Sequence, residues 1–142
     1  MIDKSEIRTL IPHAGSMCLL DQVQTWDDQS ITCLSNTHHD TTNPLRRGGR
    51  LSAIHAFEYG AQAIAVHGGL RARAAGETAG SGYLAALRDG HLHLQWLDDL
   101  RAPLQVHAVR LFADHANNVY QCAISAAQTL VAEGRITIML RA

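Results

Sequence analysis

Apolar residues recur first at helical spacing and later at alternate positions, and this change of period orders the chain. In KSEIRTLIPH, Lys4 to His13, Ile7, Leu10 and Ile11 follow Ser5, which predicts a short helix capped by Ser5 and stopped by Pro12. MCLLDQVQTW and QSITCLSNT, residues 17–26 and 29–37, are rich in β-formers and flank the polar WDDQ segment, which predicts a pair of strands. Residues 38–50 lose all periodicity, with Asn43-Pro44 and Gly48-Gly49 as punctuation. A connection of that length is more often functional than idle.

Ser52 then offers an N-cap for a helix over about residues 52–69, roughly 25 Å long at the α-helical rise. Ile54, Phe57, Ala61, Ile64 and Ala65 form its predicted apolar stripe, and His55, Glu58 and Gln62 share a face beside it. The Gly- and Ala-rich GLRARAAGETAGSG, residues 69–82, reads as a loop. After it come GYLAALRDGHLHLQWL, PLQVHAVRLFA, NVYQCAISAA and LVAEGRITIML, all strand-like. In HLHLQW the alternation sets Leu92, Leu94 and Trp96 on one face and His91, His93 and Gln95 on the other, while Asn117-Asn118 signals a turn. Early strands, one long apolar helix and a run of strands predict a single α+β domain over residues 1–142, an antiparallel sheet wrapped on a central helix.

Composition narrows the function. A formal charge of -1 with nine histidines neutral gives no basic field for nucleic acid. Cys18, Cys33 and Cys122 are odd in number and lack a CxxC pair, which argues against a disulfide framework or a thiolate zinc site. The N-terminal residues lack a basic region followed by a long apolar run, and no apolar stretch nears the ~18 residues of a membrane helix, so a cytoplasmic protein without membrane insertion is expected. Ser16, Ser52 and Ser81 stand in no GxSxG context, and no glycine-rich loop follows a strand, so nucleophilic hydrolysis and nucleotide use lose support.

The anomaly is Glu58, since an unpaired charge taken out of water costs several kcal/mol. Two readings stand: a structural carboxyl hydrogen-bonded to Gln62 or His55, or a general acid whose pKa is raised by apolar surroundings. A histidine is the natural partner for such an acid, and His38 and His39 stand where a strand gives way to the long loop, with His55 one turn from Glu58. His91-x-His93 with His38, His39 and Asp40 supplies metal-ligand types, but HExxH and any tight third-ligand spacing are absent, so no metal is expected. Arg46, Arg47 and Arg50 read either as solvated loop charges or as contacts to a phosphate or an acidic partner.

IPHAGSMCLLDQV, residues 11–23, resembles the LPHRxPxLLVDRV opening of hot-dog-fold 3-hydroxyacyl-[acyl-carrier-protein] dehydratases, and FEYGAQA, residues 57–63, resembles the ExxAQ core of their central helix. Their usual HFPxxPxxPG segment is replaced here by THHDTTNPLRRGGRL, a form similar to a divergent branch, the dehydratases of aryl-polyene pigment clusters. The resemblance implies a hot-dog domain, a curved antiparallel sheet around the central helix. It also implies a dimer, as a homodimer or with a second hot-dog dehydratase, in which a histidine of one subunit and a carboxylate of the other meet. On that basis the catalytic pair is His38 and Glu58, with His39, His55 and Gln62 in support and the Ala53 N–H as oxyanion donor. Leu51, Ile54 and Phe57 are expected along the acyl path. Arg46, Arg47 or Arg50 are expected to meet acyl carrier protein or the phosphopantetheine that carries the substrate, with no bound cofactor. A non-catalytic hot-dog partner subunit and an acyl thioesterase are the alternatives.

Overall fold

Period-two alternation in the last third of the chain becomes antiparallel sheet, and the long apolar segment becomes the helix lying on it. The computed structural model describes residues 1–11, 17–78, 80 and 82–140. Among these, β1 (Ile2–Asp3), β2 (Gln22–Trp26), β3 (Ser30–Ser35), β4 (Gly82–Leu92), β5 (Leu104–Ala113), β6 (Asn117–Ala126) and β7 (Thr129–Leu140) form one sheet in the order β1-β2-β3-β5-β6-β7-β4. Every pairing is antiparallel. Inward positions are buried along each central strand, as with Tyr120, Cys122, Ile124 and Ala126 on β6 and Leu104, Val106 and Ala108 on β5. Helix α1 (Lys4–Leu10) stands beside the sheet, and α2 (Ala56–Ala74) packs across β3, β5, β6 and β7. Gly60 permits close seating: a Cβ there would lie 3.2 Å from Ile136 Cδ1 and 3.4 Å from Cys122 Sγ. No described helix is long and apolar enough to cross a membrane.

Several predicted boundaries move. The N-cap of α1 is Asp3, whose Oδ1 accepts from the Glu6 amide at 3.0 Å and from the Ser5 hydroxyl at 2.9 Å, so Ser5 braces the cap rather than forming it. The predicted stop at Pro12 and the 12–16 part of the opening motif lie outside the described residues, as do Ser16 and Ser81. The second strand starts at Gln22, because residues 18–20 form a buried connection outside the sheet, tied to α2 through Gln62. Ser52 caps a single 3-10 turn, Ala53–His55, its hydroxyl accepting from the Ile54 amide at 3.3 Å, and α2 proper follows.

Helix α2 also runs past Gly69 to Ala74, through residues expected to form a loop. Leu70, Ala72 and the arginines favour helix, and ion pairs from Arg71 to Asp28 (3.1 Å) and from Arg73 to Glu6 (2.6 Å) tie down the last turns. Gly76, at φ +71°, ends it. The apolar stripe widens as well: Phe57 and Ile64 are buried as expected and Ala61 and Ala65 partly so, Ile54 is 49% exposed, and Ala56, Tyr59, Gly60, Ala63, Val66, His67 and Leu70 are buried too. A helix enclosed on most of its girth has no single apolar stripe to read. The HLHLQW alternation fails because β4 bulges between Arg88 and His91, with Asp89 at φ 53°, and ends at Leu92. Leu92 is exposed, and His93 has left the strand to meet Glu133 at 3.0 Å. The β5–β6 turn is made by Asp114, whose Oδ1 accepts from the Ala116 and Asn117 amides at 2.7 Å each, so Asn117 and Asn118 already belong to β6.

Candidate active site

Strand β3 ends at Ser35, and a 3-10 turn over Thr37–His39 places the first two candidate histidines. His38 is fully buried, with Nε2 3.1 Å from the Leu100 carbonyl. A carbonyl only accepts, so Nε2 carries the proton and Nδ1 holds the lone pair. Among the described residues, His38 Nδ1 is the one buried side-chain nitrogen or oxygen without a hydrogen-bond partner. Leaving such a group unsatisfied costs about 1–3 kcal/mol, which the fold does not need to incur. Burial lowers the His38 pKa, the neighbouring His39 charge lowers it further, and the backbone at Leu100 and Ala102 pulls the other way. The ring is therefore neutral near pH 7, with a base's lone pair exposed to nothing inside the protomer. His39 is exposed, lies 3.9 Å from His38 between ring centroids, and reaches the same Leu100 carbonyl at 2.5 Å.

Glu58, in the first turn of α2, opens onto a cleft of about 790 Å³. The walls beside it include Leu10, Met17, Ala61, Ile64, Ala65 and Leu84. Burial raises the Glu58 pKa, and the Gln62 amide pulls it partly back. Gln62 also serves the backbone. Its Oε1 accepts from the Leu19 amide at 2.8 Å and its Nε2 donates to the Met17 carbonyl at 2.6 Å, fixing the extended segment that walls the cleft. His55 is half-buried in the 3-10 turn, its pKa lowered by burial and by Arg47.

The protomer does not bring the predicted set together. The cleft that contains Glu58 and Gln62 includes neither His38 nor His39 among its walls. Leu51, Ile54 and Phe57, expected along the acyl path, do not line it either: Leu51 and Phe57 are core and Ile54 faces outward. The Ala53 amide, expected as an oxyanion donor, is already committed to the Gln95 carbonyl at 2.9 Å in a strand-like bridge between Ser52 and Trp96. The loop arginines hold the chain itself. Arg46 donates to the carbonyls of Asp40, Gly49 and His38 at 2.7, 2.8 and 3.1 Å, and Arg47 to those of Pro44 and Arg46 at 3.0 and 2.7 Å. Arg50 pairs with Asp98 and Asp99 at 2.8 and 2.7 Å and lies 4.6 Å above the Trp96 ring. Among the described residues no cluster of three or more His, Cys, Asp or Glu side chains is placed to hold a metal ion.

Sequence reasoning missed Leu100, the acceptor shared by both histidines, and Asn43, Thr37 and Tyr59, which are buried and mutually hydrogen-bonded. The only available signal was Asn43-Pro44, legible as a turn. It also missed that β4 is a sheet edge carrying exposed Leu84, Leu87 and Leu92, with Arg88 directly opposite Arg135 and neither arginine paired among the described residues.

The family model for the ApeP-like family, described as ApeP dehydratase, matches residues 5–141. The dehydratase heterocomplex ApeI:P from Xenorhabdus doucetiae contains a chain of similar structure, with a TM-score of 0.87 and 24% identity, over 96% of this chain and 91% of that one. A hypothetical thioesterase crystallised with coenzyme A from Streptococcus pneumoniae TIGR4 gives a TM-score of 0.60 at 11% identity over 84% of each chain. The phenylacetic acid degradation protein PaaI from Thermus thermophilus gives 0.60 at 14% identity, over 92% of this chain and 99% of that one. At these identities the likeness is one of fold. No curated protein matches the chain.

Proposed function

This chain belongs to the ApeP-like dehydratase family, and from that premise we propose that it serves the dehydration of a 3-hydroxyacyl thioester on acyl carrier protein to the trans-2-enoyl thioester. His38 takes a proton from C2 through its free Nδ1. Glu58, supplied by the paired subunit and with its pKa raised by burial, gives a proton to the C3 hydroxyl as it leaves. The C2–H and C3–O bonds break, the C2–C3 double bond forms and one water departs. Proton return from His38 to Glu58 resets the pair. The observation that carries this reading is the orphaned Nδ1 of His38, a costly feature in a buried ring and a useful one in a base.

The exposed edge of β4 offers a second hot-dog chain a place to extend the sheet. The Xenorhabdus neighbour is a dehydratase heterocomplex, which supports a non-identical partner here. In the protomer His38 is sealed from solvent, so turnover requires that pairing or carrier docking opens a path to Nδ1. The same sealing favours the second reading, in which this chain completes a partner's site without using its own.

Mass spectrometry of a 3-hydroxyacyl carrier protein, incubated with the purified chain alone and with a hot-dog chain that copurifies with it, tests both. Loss of one water that disappears in Glu58→Gln and His38→Gln supports the catalytic reading. Activity of the pair that survives both substitutions assigns the chain to the partner role. Release of free thiol in place of water loss makes it a thioesterase.

A further inference from the structure

Thr37 precedes His38, Tyr59 follows Glu58, and a buried relay of hydrogen bonds joins the two. The Tyr59 hydroxyl, on a fully buried ring, lies 2.8 Å from Thr37 Oγ1 and 3.2 Å from Asn43 Nδ2. Asn43 Nδ2 also donates to the Thr37 carbonyl at 2.9 Å, and Asn43 Oδ1 accepts from the Leu45 amide at 2.9 Å. Thr37 Oγ1 in turn reaches the Leu19 carbonyl at 2.7 Å.

Donor identity fixes the direction. An amide nitrogen only donates, so Tyr59 accepts from Asn43 and its single proton points to Thr37, whose hydroxyl meets both the Leu19 carbonyl and, at 2.9 Å, the Ser35 hydroxyl, itself 2.5 Å from the same carbonyl. The result is a chain directed from Asn43 through Tyr59 to Thr37, closed at its end by Leu19 and Ser35, whose members polarise one another in a low dielectric. Arg46 grips the same turn from outside at the His38 and Asp40 carbonyls, 3.1 and 2.7 Å away. The backbone on both sides of the His38 ring is thereby tied to α2 and the loop. Tyr59 and Asn43 are absent from the walls of the Glu58 cleft. Burial alone would be served as well by phenylalanine at position 59. The hydroxyl adds direction.

We propose that Tyr59 and Asn43 are positioning residues that, through Thr37, hold the His38 imidazole in the single tautomer with Nε2–H on the Leu100 carbonyl and Nδ1 unprotonated. The proposal rests on His38 being the base. Its test therefore includes a readout independent of turnover. Tyr59→Phe is the mild variant, because it leaves Asn43 its second acceptor and Thr37 its bond to Leu19; Thr37→Val is nearly isosteric and removes the last link. Tyr120→Phe, which removes the His67 partner elsewhere on α2, is the control for general loosening. Side-chain 15N spectra of the full chain, with His38 assigned by its loss in His38→Gln, report the tautomer directly.

We expect a fixed Nε2–H tautomer in the wild type and in Tyr120→Phe. In folded Tyr59→Phe and Thr37→Val we expect averaged nitrogen shifts, with kcat lowered at least tenfold and KM within twofold. Unchanged His38 shifts in folded Tyr59→Phe would overturn the proposal whatever the rate. If the wild type dehydrates nothing, the functional reading falls while the shifts still decide whether Tyr59 and Asn43 position the ring.

Discussion

Replacing Gln62 by leucine separates its effect on the backbone from its effect on Glu58. The substitution conserves approximate volume but removes the acceptor of the fully buried Leu19 amide and the donor to the half-buried Met17 carbonyl. An unsatisfied buried donor costs about 1–3 kcal/mol, and the carbonyl, which regains some water, belongs at the lower end of that range. Leucine returns about 1 kcal/mol through added apolar burial, for a net loss of about 1–3 kcal/mol. In a domain near this size each kcal/mol shifts the midpoint by about 2–4 °C, so the melt should move down by about 2–12 °C. Differential scanning calorimetry, with urea melts at constant m-value, measures this. A midpoint within about 2 °C of wild type would refute the claim that Gln62 anchors residues 17–19. The effect on Glu58 reads out in catalysis. The Gln62 amide lowers the Glu58 pKa, so without it that pKa lies higher. A general acid must be protonated, and activity falls as pH rises through its pKa. The alkaline decline of kcat should therefore move to higher pH in Gln62→Leu, and a decline that stays in place would separate Gln62 from Glu58.

Four further outcomes follow from the same geometry. Glu58→Gln should fold and lower turnover by ~10²-fold or more, the usual scale of lost acid catalysis, and near-normal turnover would end its assignment. Because burial raises its pKa above the ordinary Glu value, the ionised carboxyl opposes folding at neutral pH and not below the ordinary Glu range; urea melts should show Glu58→Gln more stable at pH 7, with the gain gone in acid below both pKa values. His38, His55 and His67 all have pKa values lowered from 6.5 by burial, so the unfolded chain takes up protons first, and the melting midpoint should fall as pH drops from 7 to 5. A flat profile would contradict their burial. Arg88→Glu places a carboxylate opposite Arg135 on the outer face of the sheet and should stabilise the chain by about 0.2–1 kcal/mol in urea melts. No gain would mean that the two arginines do not feel each other.

What the sequence discloses depends on how far along the chain the cause lies. Strands β5, β6 and β7 were legible because period two is a local property, and Glu58 stood out because a carboxylate in an apolar helix is a local contradiction. The end of α2 was not legible, since Asp28 and Glu6, which tie its last turns, are remote in sequence. Nor was the fate of the Ala53 amide, settled by Gln95, which lies beyond both α2 and β4 in the chain. The candidate site was legible as residues and illegible as a place. His38 and Glu58 are both marked by physical oddity, a buried ring with one unpartnered nitrogen and a partly buried carboxyl with a raised pKa, yet the protomer keeps them in separate surroundings. The sheet carries a matching oddity, since β4 ends it with exposed leucines and with two arginines that face each other and have no ion pair among the described residues. The fold thus carries two costs inside the protomer, an unsatisfied buried nitrogen and a partly desolvated carboxyl, and beside them an open strand edge on which another strand can pair.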